Sequence, residues 1–211
     1  MEKKKNISMA VIKRLPKYHR YLSELMKNDV DRISSKELGE KIGFTASQIR
    51  QDLNCFGDFG QQGYGYNVRD LYYQISTILG IDTTYNTIIV GAGNIGQAIA
   101  NYRFDRLGIN LTGIFDSNEE LEGKVIKDVP IRKISEMDKH IKETETDIAI
   151  ICVPRGNAQK VCDKMVENGI RAIWNFAPVD LNVPSNVKVE NVHLSESLMT
   201  LIYLLHTDKT E

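Results

Sequence analysis

Apolar residues recur along the chain in two rhythms, and the change between them divides it near residue 80. In the front part the spacing is helical: Leu15, Tyr18, Leu22, Leu25 and Met26 fall on one face of a helix, and Ala46, Ile49, Leu53 and Phe56 on one face of another. Behind it come short apolar runs, Thr87-Ile-Ile-Val90, Asn110 to Asp116, Val129-Pro-Ile131, Asp147 to Val153, Arg171 to Phe176 and Val187 to Glu190. The run from Asp147 is continuously apolar and reads as a buried strand of a parallel sheet, and the run from Arg171 as another strand. Helical stretches at about 95–107, 134–144 and 158–168 alternate with the runs, so the rear part reads as α/β.

In the front part, Pro16 interrupts a short amphipathic stretch from Ile7 to Leu15, and a new helix is expected from there to Lys27. Ser34-Ser-Lys-Glu37 is a capping box, in which serine takes a first-turn N–H and glutamate reaches back. The helix it opens ends at Gly43, and Thr45-Ala-Ser-Gln48 is a second such box. Two capped helices joined through a glycine turn describe a helix-turn-helix. With the apolar face of the second helix inward, Ser47, Arg50, Gln51 and Asn54 point out. These side chains suit base edges and phosphates in a major groove, although a solvated face has the same composition. Phe56 to Tyr66 then sets glycines at 57, 60, 63 and 65 among aromatics, the pattern of a hairpin whose tip, Gln61-Gln62-Gly63-Tyr64, would form the wing. A plain linker hairpin is the other reading. Asn67 caps a helix from Val68 to Leu79, and 80–86 is the boundary.

Candidate chemistry centres on Gly91-Ala92-Gly93-Asn94-Ile95-Gly96, a G-x-G-x-x-G loop between an apolar strand and a helix. The first glycine permits a tight turn, the second lets the backbone approach a pyrophosphate, and the third lets the helix pack on the sheet. Twenty residues on, Asp116 closes the second strand, where a carboxylate accepts from both ribose hydroxyls and repels a 2′-phosphate. This pattern favours NAD+ and NADH over their phosphorylated forms; a turn-capping role is the alternative. The strand from Asp147 ends at Val153-Pro154, on the carboxyl edge where ligands lie in open α/β sheets. Arg155 follows, facing either a phosphate or solvent.

Composition narrows the function. Residues 1–80 carry a formal charge of +4 and residues 81–211 of −5, concealed in a net −1, so the front part suits an anionic partner. No apolar run spans a bilayer and Met1-Glu-Lys-Lys-Lys5 lacks a signal-peptide core, which places the chain in the cytoplasm, away from membranes. Cys55, Cys152 and Cys162 have neither disulfide nor metal spacing and read as reduced packing residues, with a reactive thiol at Cys55 as the alternative. The four histidines, 19, 140, 193 and 206, form no local acid–base pattern.

Several stretches together are highly specific: Lys13-Arg-Leu-Pro-Lys-Tyr18, Ile49-Arg-Gln-Asp-Leu53, Phe56-Gly-Asp-Phe-Gly60, Gly63-Tyr-Gly-Tyr-Asn67, Gly91 to Gly96 and Asn175-Phe-Ala-Pro178. Over nearly its whole length the chain resembles the Rex family of redox-sensing transcriptional repressors. The resemblance implies a homodimer that holds double-stranded operator DNA when NAD+ prevails and releases it when NADH binds. It also implies a terminal helix exchanged between subunits, and Asn175 and Phe176 near the nicotinamide.

Two positions depart from the family pattern. Gln51 stands where a lysine usually follows the recognition-helix arginine, and glutamine suits adenine where lysine suits guanine. His193 stands where the family has a switch aspartate, whose partners by resemblance would be Arg14 and Tyr102. Without that carboxylate an ion pair with Arg14 is unavailable. A neutral imidazole still accepts from either partner, or simply caps the last helix, where Leu194, Leu198, Leu201, Ile202 and Leu205 form a broad apolar stripe.

The expected architecture is therefore α/β: a winged helix-turn-helix domain over 1–80, a Rossmann domain with a doubly wound parallel sheet over 81–192, and a dimerising helix over 193–211. The expected function is a non-enzymatic repressor that needs no metal. An oxidoreductase of minimal size is the alternative, and lacks room for a substrate domain.

Overall fold

The computed structural model describes residues 7–57, 59, 64–104 and 107–207. It divides into two compact units, residues 1–83 and 84–211, the second including the terminal helix.

The first unit begins with α1 (Met9–Lys27), capped by Ser8, whose side chain accepts from the Val11 N–H. Pro16 does not break it. Val11, Leu15, Tyr18 and Leu22 lie on one buried face across the proline, and their shared packing outweighs the one backbone hydrogen bond it removes. A two-residue strand, β1 (Arg32–Ile33), leads to α2 (Ser35–Ile42) and α3 (Ala46–Asn54). Ser34 and Glu37 form both bonds of the capping box, and Gly43 ends α2 at φ 79°. Thr45 completes only half of the second box: it accepts from Gln48 N, but the Gln48 amide donates instead to Asp52 Oδ1 at 2.8 Å. β2 (Tyr66–Asn67) and α4 (Val68–Leu79), the latter capped by Asn67, complete the unit. The expected hairpin is different at its base, because β2 pairs antiparallel with β1, from before the helix pair. Gln61, Gln62 and Gly63, the tip, lie outside the described residues.

The second unit contains β3 (Tyr85–Val90), α5 (Asn94–Ala100), β4 (Ile109–Asp116), β5 (Val125–Ile126), β6 (Val129–Lys133), α6 (Met137–Glu143), β7 (Ile148–Ile151), α7 (Arg155–Glu167), β8 (Ala172–Asn175), β9 (Lys188–Asn191) and α8 (Leu194–Thr207). The sheet order is β5-β6-β4-β3-β7-β8-β9. All neighbours are parallel except β5 and β6, so the parallel part runs third, second, first, fourth, fifth, sixth, the doubly wound arrangement. Apolar clusters containing Ile88, Phe115 and Ile151, and Ile89, Ile114 and Ile150, form its core.

Three elements differ from the reading by periodicity. α5 stops at Ala100 rather than 107, with the Asn101 amide donating back to the Gln97 carbonyl and Phe104 buried beside Trp174. α7 starts at Arg155, immediately after Pro154, so Arg155, Gly156 and Asn157 are its first turn rather than a loop. β5 and β6 form a hairpin whose turn, Lys127 and Asp128, takes φ 47° and 66°.

Buried His140 donates nothing to Arg132, since a guanidinium can only donate; Arg132 Nη1 lies 3.0 Å from Nδ1, which therefore accepts. Nε2 then carries the hydrogen toward Thr112 Oγ1 at 3.2 Å. Burial and then the Arg132 charge depress the His140 pKa, and burial depresses that of His19. Both favour the neutral ring in the fold, so their stabilisation is complete above the unfolded histidine value of about 6.5 and is lost as pH falls from there to the folded value. The urea midpoint is expected to be lower at pH 5.5 than at 7.5; a flat profile would contradict this.

Candidate functional site

In the second unit the strand order reverses between β3 and β7, and the residues at that switch point are Gly91 to Gly96 after β3 and Cys152 to Pro154 after β7. Gly91 and Gly96 are required by the packing, each for its own reason. Gly91 sits at φ 99° with a Cβ direction 2.5 Å from the Cys152 carbonyl. A Cβ on Gly96 would fall on the Gly91 carbonyl oxygen, because helix and turn are in direct contact there. Gly93 meets nothing within 4 Å, so its exposed backbone faces open space, where a pyrophosphate needs it. Ala92 is fully buried, while Asn94 and Ile95 are exposed at the start of α5.

Asp116, the last residue of β4, reaches back to this loop. Its Oδ2 accepts from Ala92 N at 2.5 Å and its Oδ1 from Asn118 N at 2.7 Å. The turn-capping reading of Asp116 is the one its bonds show, and each oxygen keeps a lone pair of the kind a ribose hydroxyl would use. Together the carboxylate and the open Gly93 fit the adenosine diphosphate half of a dinucleotide.

At the other end of the crevice, Phe176 N donates to the Ile151 carbonyl at 2.8 Å, and its half-buried ring lies 4.6 Å from that of Trp174. Val153 is half-buried and Pro154 exposed beside it. Asn175, expected near the nicotinamide, is bonded within the protein. It is fully buried, its Nδ2 donates to Val179 O and Asn191 Oδ1, and its Oδ1 accepts from Ala177 N. The amide is spent on holding the loop that carries Phe176. Burial pushes the Cys152 thiol up to about 12 and the Cys162 thiol up to about 11, which keeps both protonated.

In the first unit, Ser47, Arg50, Gln51 and Asn54 are all exposed on one face of α3. Arg50 is held by two hydroxyls, Ser35 Oγ at 2.9 Å and Ser47 Oγ at 3.2 Å. Tyr64, the last residue of the expected wing tip, is exposed and its carbonyl accepts from Arg32. Cys55 donates its thiol to the Gln51 carbonyl.

The periodicity reading missed Asp52. It faces inward on α3 with no exposed surface, accepting from Arg14 Nε at 2.6 Å, Arg14 Nη2 at 2.7 Å and Tyr18 Oη at 2.5 Å, besides Gln48. Burial alone would raise its pKa; the bonds from Arg14, Tyr18 and Gln48 outweigh it and hold the carboxyl below its usual range. The signal available in the sequence was its place one residue before Leu53 on the inward arc, opposite a basic Lys13-Arg14 pair.

The three expected switch residues have other partners here. Arg14 is committed to Asp52 within its own unit. His193 Nε2 lies 3.2 Å from Asp180 Oδ1, a carboxylate of its own unit. Tyr102 is exposed, tilted against Phe104 at 4.9 Å, with its carbonyl accepting from Lys127 Nζ at 2.5 Å. Leu194, Leu198, Met199, Leu201, Ile202, Tyr203, Leu204 and Leu205 of α8 are all more than half exposed, so among the described residues the stripe finds no cover within its own unit. Also among the described residues, no helix is long and apolar enough to cross a membrane and no group of ligands suits a metal.

Comparison with known proteins places these features. Residues 6–54 match a family model described as putative DNA-binding protein N-terminus, and residues 82–179 one described as CoA binding domain. A redox-sensing transcriptional repressor Rex from Clostridium botulinum is 71% identical over 99% of this chain and 100% of its own, and one from Clostridium beijerinckii 71% over the whole of both. A crystal structure of RSP in complex with β-NAD+ and operator DNA superposes with a TM-score of 0.91 at 60% identity, covering 97% of this chain and 94% of that one. RSP in complex with β-NADH gives 0.91 at 56%, covering 97% of each. The chain belongs to the Rex family of redox-sensing transcriptional repressors.

Proposed function

We propose that this chain is a homodimeric repressor that reads a palindromic operator through α3 and is released when NADH occupies the crevice between β3 and β7. The observation that carries it is the coexistence, in 211 residues, of an exposed hydrogen-bonding face on α3 and an open Gly93 backbone beside Asp116. Ser47, Arg50, Gln51 and Asn54 meet the major groove, and the wing, Gln61 to Tyr64, lies on the backbone or minor groove. Two such heads read half-sites one helical turn apart, hence the dimer, and the uncovered stripe of α8 is the surface a second copy buries. The protein acts in the cytoplasm, where its DNA lies.

Gly91 to Gly96, Asp116, Val153, Pro154, Phe176 and Tyr102 form the nucleotide site. Bound NADH supplies the difference in affinity between a DNA-competent and a DNA-incompetent arrangement, without which no ligand shifts an equilibrium. Phe176 and Val153 offer an apolar wall to the nicotinamide, and a neutral reduced ring enters it at less desolvation cost than a cationic one. Mobility shift on a palindromic probe is the test: NADH dissociates the complex and NAD+ does not. Equal retention at saturating levels of both refutes the reading, and steady NADH consumption with a small carbonyl substrate favours the oxidoreductase.

Gln51→Lys is expected to change the preferred base at one position of each half-site from adenine toward guanine, a preference worth about 1–3 kcal/mol. Selection of bound DNA from a random pool measures it; identical operators for both proteins contradict it.

A further inference from the structure

Beside Asp116 lies a cavity of about 180 Å³, lined among others by Glu119, Glu122 and Lys133. Lys133 is the register partner of Asp116 across the parallel pair β4 and β6, so both side chains leave the sheet on the same side. A cation there is placed to receive a phosphate on the adenosine 2′-oxygen, the group that distinguishes NADPH from NADH. It is already engaged, however. Lys133 Nζ lies 3.3 Å from Glu122 Oε2, and Glu119 and Glu136 add further negative charge around it. The other lining cation, Arg132, is turned to the His140 ring at 3.0 Å. Asp116 is therefore not alone in setting nucleotide choice.

We infer that Glu122 is a second determinant of specificity, which masks Lys133 and so denies a 2′-phosphate the one countercharge that the register of β4 and β6 sets beside Asp116. This rests on the crevice being a dinucleotide site. Both side chains of the pair are nearly half exposed, so solvent screens their attraction and the effect is modest.

Nicotinamide fluorescence titrations with NADH and with NADPH test it on the full-length protein. Glu122→Gln is expected to raise the ratio of NADPH to NADH affinity about three- to tenfold, as suits release of a screened ion pair. Adding Lys133→Gln is expected to return the ratio to the starting value, because a neutral side chain has nothing to offer the phosphate. An unchanged ratio in Glu122→Gln overturns the inference, and so does a gain that survives the second substitution, which would mean simple repulsion rather than masking. Retained NADH binding in each variant reports a folded site. Failure of the unaltered protein to bind NADH at all would instead remove the dinucleotide reading.

Discussion

Asp52→Ala is expected to abolish operator binding while leaving the nucleotide domain folded. The carboxylate is fully buried and receives four hydrogen bonds, two of them from the guanidinium of Arg14, which is itself only 20% exposed. Removing the carboxylate leaves a buried phenol and a part-buried cation without their acceptor; a fully buried pair typically loses about 3–5 kcal/mol, and the solvent access of Arg14 sets this loss toward the lower end. A domain of this size has roughly 5–10 kcal/mol in total, so a large part of its margin goes. The consequence is specific to DNA reading, because Asp52 sits on α3 and its donors Arg14 and Tyr18 on α1: the network sets where the recognition helix lies on its support.

Thermal melting should show an early transition for the first unit, with fluorescence titration still reporting NADH bound to the second. Asp52→Asn retains the shape and one acceptor and is expected to fall between the two. The depressed pKa of Asp52 itself makes the network's contribution complete above the unfolded carboxyl value of about 3.9 and lost only as pH falls through the folded value, so neutral-pH measurements are unaffected by its titration. Unaltered melting and operator affinity in Asp52→Ala would show that the carboxylate holds nothing in place.

Periodicity revealed most of the fold, and it failed where one element packs by a rule other than its own spacing. The doubly wound sheet was legible because each buried strand is a continuous apolar run ending at a turn; the end of β3 and the start of α5 were marked by glycine chemistry that few other arrangements need. Pro16 misled, since a local rule about backbone donors cannot see that Leu15 and Tyr18 share one buried face. β5 escaped notice at two residues, with Lys127-Asp128 in place of the usual turn residues. In the site, the exposed face of α3 follows from its inward face, so its four residues could be assigned without coordinates. Asp52 could not, because three of the four bonds that explain its buried charge come from partners 34 and 38 residues away. The bonds of Asn175 were illegible for the same reason: a motif says that a residue matters, and only its bonds say that it holds a loop.

Gly96→Ala is expected to uncouple the protein from the nucleotide, giving a repressor that stays on its operator when NADH is added. The added Cβ meets the Gly91 carbonyl oxygen, a backbone atom that cannot rotate away, so the turn must open or α5 must shift. Overpacking of this kind costs about 1–3 kcal/mol, and the displaced loop carries the Ala92 N–H that orients Asp116. Nucleotide affinity should fall by about a hundredfold or more, since every placement of phosphate and ribose depends on that loop. Gly93→Ala separates geometry from fold. Nothing lies within 4 Å of its Cβ direction and its φ of −73° suits any residue, so its melting temperature should match the unaltered protein. Its NADH affinity should nonetheless drop, because the methyl group occupies the space a pyrophosphate would approach. If Gly93→Ala binds NADH normally, the phosphates do not lie over that backbone. If Gly96→Ala still releases DNA at the unaltered NADH concentration, contact between α5 and the turn is not what holds the nucleotide.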